Sequence, residues 1–216
     1  MKIIGLDEKR LANYVHAQLA HHFPIDNLPE PAFIGAYIPK TLKRLERCVA
    51  EVVMWQPGVF DVLHSTQYCT FLYYLANTVW RESGNRQCCT LLFLLNKTLN
   101  GIDLFYEIEM PEVFFIGHSV GIVLAKAQYG NYLVLYQNST VGKNNGIAPV
   151  LEERVVLYPN TAVIGRSIVR RRSIIAQGVS VVNNDTPGNS LVFQGSSGGL
   201  IFKGIVRDMY CEYFRS

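Results

Sequence analysis

The stretch LEERVVLYPNTAVIGRSIVRRRSIIAQGVSVVNNDT (residues 151–186) decides the fold. Leu151, Leu157, Val163, Val169, Ile175 and Val181 recur in it at intervals of six without a gap. Four residues after Leu157, Val163, Val169 and Ile175 stand Thr161, Ser167, Ser173 and Val179, small or β-branched residues that suit the inside of a tight corner. A period of six is neither the 3.6 of a helix nor the 2 of an ordinary strand. It is the period of a parallel β-helix: each hexapeptide makes one flat side, three sides make a coil, and equivalent aliphatic residues stack along the axis. Coils then lie about 4.8 Å apart, and each satisfies the backbone groups of the next. Upstream the frame runs through Leu104, Met110, Ile116 and Ile122, slips by one residue, and resumes at Tyr129, Leu135 and Val141. Residues 142–150 (GKNNGIAPV) interrupt it with Gly and Asn and read as a loop thrown out from a corner.

Before residue 101 the apolar residues recur instead at three and four, in four segments: residues 7–23, 39–55, 61–82 and 85–99. Each reads as an amphipathic helix. Pro24, Pro29 and Pro31, then Pro57-Gly58, then Ser83-Gly84-Asn85 punctuate the breaks. The chain is therefore expected to be α+β, with a helical domain over 1–100, a β-helix over 101–204 and a C-terminal tail over 205–216. His64 and the pair His21-His22 fall among the helices without a second ligand at i+4, so they read as surface or packing residues.

At 216 residues and 49% hydrophobic content the chain can bury a substantial core. No run approaches the eighteen or more apolar residues of a membrane span, and the N-terminal MKIIGLDEKR has no h-region, so a soluble, cytoplasmic protein is expected. Cys48, Cys69, Cys88, Cys89 and Cys211 form neither C-x-x-C pairs nor a spaced set with histidines, which predicts buried free thiols and no metal site. The net charge of +3 gives no footprint for nucleic acid; only Arg170-Arg171-Arg172 reads as an anion site.

Residues 113–127 (VFFIGHSVGIVLAKA) contain Gly117-His118-Ser119-Val120-Gly121, which fits the G-x-S-x-G nucleophile elbow of α/β-hydrolases. That fold needs its catalytic acid and histidine downstream of the serine. The histidines are His16, His21, His22, His64 and His118, none of them after Ser119, so the hydrolase reading fails.

These residues resemble the hexapeptide-repeat acyltransferases, and among them the serine acetyltransferases, over roughly residues 60 to 203. IGHSVGIVL (residues 116–124) looks like that family's aliphatic-Asp-His-x-x-Gly-Ile-Val-Val run, LYQNSTVGK (135–143) is similar to its Tyr-Gln-x-x-Thr-Leu-Gly-Gly run, and VVNNDTPGNSLVFQGSSGGLIFKG (181–204) to its closing coil. The resemblance implies a left-handed β-helix and an acetyl-CoA-dependent O-acetyltransferase. It puts His118 in the catalytic position, with Asp103 as its carboxylate partner and Glu107 and Glu109 close by in frame. A hydroxyl acceptor is a poor nucleophile at neutral pH, and such a histidine takes its proton while a carboxylate fixes the imidazole tautomer.

For the donor, the resemblance implies coenzyme A in a groove between neighbouring prisms. Gly142 would allow close backbone approach, and Arg166, Arg170, Arg171, Arg172 and Lys203 would meet its phosphates. Ile174 stands where the family has a lysine. It further implies a cyclic homotrimer, with the helical half able to pair trimers into a hexamer. Three departures concern the acceptor. Gly117 replaces the acid before the catalytic histidine, Ile147-Ala148-Pro149 replaces Arg-His-Pro after the loop, and the ending YCEYFRS lacks the isoleucine of relatives that dock into cysteine synthase. The carboxylate of free serine would lose its bidentate partner. The first expectation is thus acetylation of a sugar hydroxyl of a surface polysaccharide or its precursor. The alternatives are a serine acetyltransferase making O-acetylserine and a non-catalytic β-helix assembly module.

Overall fold

In the computed structural model, which describes residues 1–207 and 209–215, all four helices form. The short strand β1 (Lys2–Ile3) precedes α1 (Glu8–His22) and α2 (Pro31–Glu51), β2 (Val59–Phe60) pairs with β1, and α3 (Ser65–Ser83) and α4 (Arg86–Asn100) follow. Asp7 caps α1 by accepting from the Arg10 N–H, and Asn85 caps α4 by accepting from the Cys88 N–H. Gly84 and Gly101 end α3 and α4 in the left-handed conformation. The spacing predicts the second helix from Pro39, but α2 starts at Pro31 and runs through Pro39. Pro31 occupies the first turn, where no N–H partner is needed, and Pro39 lies on the exposed side while Ile34, Ile38, Leu42 and Leu45 keep one buried stripe across it. Cys48, Cys69, Cys88 and Cys89 are buried free thiols as expected, whereas Cys211 is exposed.

Helix α3 is buried over residues 66–79 because it is packed on both sides. Along one side it grips residues 105–112. The Tyr73 hydroxyl donates to the Ile108 carbonyl (2.6 Å) and accepts from the Met110 N–H (3.0 Å). The Tyr74 hydroxyl donates to the Glu112 carbonyl (3.1 Å), and the Asn77 amide donates to the Tyr106 carbonyl (2.8 Å). These bonds join the helices to the first coil of the prism.

The prism is a left-handed parallel β-helix of about five turns. Its strands are β3 (Asp103–Leu104), β4 (Phe114–Ile116), β5 (Val123–Leu124), β6 (Gln128–Tyr129), β7 (Leu133–Leu135), β8 (Thr140–Gly142), β9 (Val150–Leu151), β10 (Val156–Leu157), β11 (Ala162–Ile164), β12 (Ile168–Val169), β13 (Ser173–Ile175), β14 (Ser180–Val182) and β15 (Ser190–Gln194), with β16 (Leu200–Gly204) turning back antiparallel on β15. They form three faces. One runs β4-β7-β10-β13-β15-β16, a second β3-β5-β8-β11-β14, and a third β6-β9-β12. The six-residue period is realised directly: Leu151 pairs with Val169, Leu157 with Ile175 and Val163 with Val181, and all six side chains are buried. Thr161, Ser167, Ser173 and Val179 are buried at the inner corners, as their size requires.

Two upstream positions differ from the expected frame. The residue stacked between Leu104 and Val141 is Leu124, not Ile122, which is buried just ahead of the strand. The corner at residues 117–122 absorbs the extra length and turns at Gly121 (φ 75°), where an added Cβ would sit 2.0 Å from Asn138 Oδ1. Met110 lies on no strand, because α3 takes over that side of the first coil. The loop over 142–150 closes as a tight hairpin: Asn144 and Ile147 exchange two backbone hydrogen bonds of 3.0 Å across Asn145 (φ 49°) and Gly146 (φ 79°).

The expected tail returns along the prism; Asp208 and Ser216 within it lie outside the described residues. The Tyr210 hydroxyl donates to the Arg154 carbonyl, the Phe214 ring packs edge-on against Tyr132 (5.2 Å), and Tyr213 reaches Phe115 (6.3 Å). At its end the Arg215 guanidinium donates to the carbonyls of Ala50 (2.9 Å), Val52 (2.6 Å) and Trp55 (2.6 Å), closing the C-terminal end of α2. The outer column of the first face, including Phe115, Val134, Val156 and Ile174, is buried. The second face stays open, with Val123 45% and Val182 49% exposed and Val120, at its corner, 64% exposed.

Candidate active site

His118 follows β4 at the corner between the tail-covered face and the open face, and its side chain is exposed. Ile116 pairs with Leu135, so the next coil brings Tyr136 directly over Gly117. The Gly117 N–H donates to the Leu135 carbonyl (2.9 Å). A Cβ on Gly117 would lie 2.6 Å from Tyr136 Cε1 and 2.9 Å from Cδ1, so the tyrosine ring fills the space a side chain there would need. The His118 and Tyr136 ring centroids are 6.3 Å apart.

Tyr136 belongs to a wall of three tyrosines. It stacks on Tyr158 of the following coil at 5.6 Å and 27°, and meets the Tyr213 ring at 6.3 Å. The Tyr158 and Tyr213 hydroxyls are 3.1 Å apart. Burial, followed by those hydroxyl neighbours, pushes the Tyr213 phenol well above its ordinary value. Of these three, only Tyr136 falls within the motif at residues 135–143. The wall's signal was in the hexapeptide frame all the same, because Tyr136 and Tyr158 each follow a stacked leucine, Leu135 and Leu157.

Asp103 lies on β3 at the start of the open face, one coil before Val123. Its Oδ2 accepts from Lys97 Nζ at 2.6 Å, and no hydrogen bond joins it to His118 among the described residues. The neighbouring acids are also engaged: Lys126 Nζ donates to Glu107 (3.1 Å), and Arg81 of α3 pairs with Glu109. Ser119 is only 7% exposed, which leaves it no access to a substrate and removes the remaining appeal of the G-x-S-x-G match.

The residues expected around the donor do not all meet. Gly142 and Arg166 share the corner between the open and third faces: the Gly165 N–H donates to the Gly142 carbonyl (2.9 Å), and Arg166 follows immediately. A Cβ on Gly142 would be 2.7 Å from Ile164 Cδ1. Arg170 lies between Glu152 (3.8 Å) and Asp185 (3.7 Å), the exposed Arg171 donates its backbone N–H to Glu152 (2.8 Å), and Arg172 covers the Tyr210 ring at 5.3 Å. Lys203 sits on β16 over Phe193 (5.3 Å). The basic run therefore spreads around a corner, each side chain leaving in its own direction. Among the described residues no three His, Cys, Asp or Glu side chains come together, and no helix is long and apolar enough to cross a membrane.

No protein-family model matches the chain. It is 31% identical over 122 residues to a serine acetyltransferase from Synechococcus elongatus, a match covering 54% of this chain and 49% of the relative. The chain thus spans about half the length of the curated relative it matches. Among solved structures, a serine acetyltransferase from Brucella abortus superposes with a TM-score of 0.71 at 16% identity, over 91% of this chain and 84% of that one. A serine acetyltransferase from Neisseria gonorrhoeae in complex with serine superposes with a TM-score of 0.66 at 15% identity, over 91% and 83%. The chain is thus similar to the serine acetyltransferases, in sequence over about half its length and in fold over nearly all of it: a helical domain carrying a left-handed hexapeptide-repeat β-helix.

Proposed function

We propose that the chain is an acetyl-CoA-dependent O-acetyltransferase in which His118 is the general base and the acceptor is a sugar hydroxyl. The observation that carries the acceptor is Gly117, where no carboxylate stands beside His118 to hold an amino acid; Tyr136 lies against that glycine and, with Tyr158, presents aromatic surface next to His118. Aromatic faces suit the apolar C–H faces of a sugar ring. Ile147 and Ala148, which replace Arg-His after the loop, offer no cation to a free amino acid's carboxylate.

In this reading His118 takes the acceptor hydroxyl proton as the oxygen attacks the thioester carbonyl of acetyl-CoA. The C–S bond then breaks, and the imidazolium returns the proton to the departing coenzyme A sulfur. Asp103 turns from Lys97 to the imidazole when the site assembles. Gly142 and Arg166 hold the donor, with Arg171 as a further cation; Arg170, Arg172 and Lys203 have other neighbours and play lesser parts. The open face packs against a second and third copy, which hides Val120, Val123 and Val182 and completes the groove, so the working unit is a trimer. The reaction belongs where acetyl-CoA is supplied, in the cytoplasm.

A second reading, acetylation of free serine, is favoured by the Synechococcus elongatus relative, which is a serine acetyltransferase. The two separate at Tyr136. With the sugar acceptor, Tyr136→Ala is expected to raise the acceptor KM about tenfold, the size of one lost aromatic contact, while leaving the acetyl-CoA KM unchanged. An unaltered acceptor KM, or new activity toward L-serine once the ring is gone, would move the assignment to serine.

A further inference from the structure

A groove with no part in the reading above lies at the junction of α2, α3 and residues 110–112, enclosing about 450 Å³. Lys40, Lys43, Arg44 and Arg47 follow one another at helical spacing on α2, and Arg81 of α3 closes the far side. Five cations on one groove would repel one another, and three are neutralised. Glu82 pairs with Lys40, Glu112 with Arg47 (2.8 Å) and Glu109 with Arg81. Lys43 and Arg44 have no ion pair among the described residues.

Arg44 is set in the groove wall. Its guanidinium lies 4.6 Å over the Tyr74 ring, and Nη1 donates to Thr78 Oγ1 (2.9 Å) and to the Tyr74 carbonyl (3.4 Å). Nε and Nη2 have no hydrogen-bond acceptor among the described residues. Burial opposes the charged form and lowers the Arg44 pKa, an imbalance that a bound anion would relieve. A planar guanidinium held on one edge and open on the other, beside an ammonium without a partner, matches the oxygens of a phosphoryl dianion. Met110 and Pro111 add an apolar wall for the remainder of a ligand.

We propose that this groove binds a phosphorylated small organic molecule, its phosphoryl group held by Arg44 and Lys43 and its apolar part resting on Met110 and Pro111. Residues 110–112 continue into β4, which ends two residues before His118, so the site lies on the chain segment that sets the candidate base.

Isothermal titration of the full chain with inorganic pyrophosphate tests this without reference to acetyl transfer. Saturable binding is expected, weakened about 10- to 100-fold in Arg44→Ala, the loss of a charge-assisted hydrogen-bonded pair. A weaker loss is expected in Lys43→Gln, which is exposed and leaves the fold intact even if Arg44→Ala does not fold. Arg10→Gln, exposed on α1 and away from both sites, should bind as the parent does. No saturable binding at millimolar pyrophosphate would overturn the proposal. So would affinity unchanged in Lys43→Gln but lost in Arg171→Gln, which would place the anion on the prism.

Discussion

His118→Ala is expected to lower acetyl transfer by about 10²- to 10⁴-fold, the usual contribution of a positioned general base. Acetyl-CoA affinity should change little. His118 is exposed at the first coils of the prism, whereas Gly142 and Arg166, proposed to hold the donor, lie on later coils at the opposite edge of the open face. The contrast with Ser119→Ala makes the result specific, since Ser119 is buried and its removal should leave turnover within a few-fold of the parent. Thiol release from acetyl-CoA, read beside a direct binding measurement, gives both quantities. More than a tenth of the parent turnover in His118→Ala would take this residue out of the mechanism.

Val123→Glu is expected to abolish activity by breaking the assembly. In the single chain Val123 is 45% exposed on the open face, so glutamate there remains solvated and the chain still folds. In a trimer closed through that face the carboxylate would be buried against a neighbour without a partner, at a cost of several kcal/mol for each interface. Light scattering should fall from three times the 24.4 kDa chain mass, or six, to the chain mass, with turnover down more than about 100-fold because the groove loses one wall. A variant of unchanged mass, or an active monomer, would remove the open face from the interface.

The fold could be read from the sequence wherever a period was uninterrupted. From Leu151 to Val181 every stacked residue points inward and each coil repeats the last, so the frame and the register coincide. Earlier, the corner before Leu124 and the side containing Met110 break the repeat, the first by added length and the second because α3 replaces a strand. The course of the tail was not legible, since residues 210–215 have no period and their partners around residues 49–55 are distant in sequence. Proline spacing misplaced the start of α2, because a buried stripe outweighed one missing hydrogen bond at Pro39.

The candidate site was legible as flanking motifs and missed as packing. Gly117 could be recognised as a missing acid, but only the stacking of coils shows that Tyr136 fills its place. An acid restored at 117 would therefore meet the Tyr136 ring, and a serine clamp rebuilt at 117, 147 and 148 would require that ring to shift. The run Arg170-Arg171-Arg172 looked like one site because it is contiguous in sequence. A corner separates its members, one toward Glu152 and Asp185 and another over Tyr210. On α2, by contrast, Lys40, Lys43, Arg44 and Arg47 converge because helical spacing places them on one stripe.

Thiol release from acetyl-CoA by the unaltered protein, compared between L-serine and a panel of sugars at millimolar concentration, tests the acceptor assignment most directly. Release above the buffer rate is expected with at least one sugar, together with an O-acetylated product of the corresponding mass, and L-serine should give no more than buffer. Brisk release with L-serine and none with any sugar would contradict the assignment and make O-acetylserine the product.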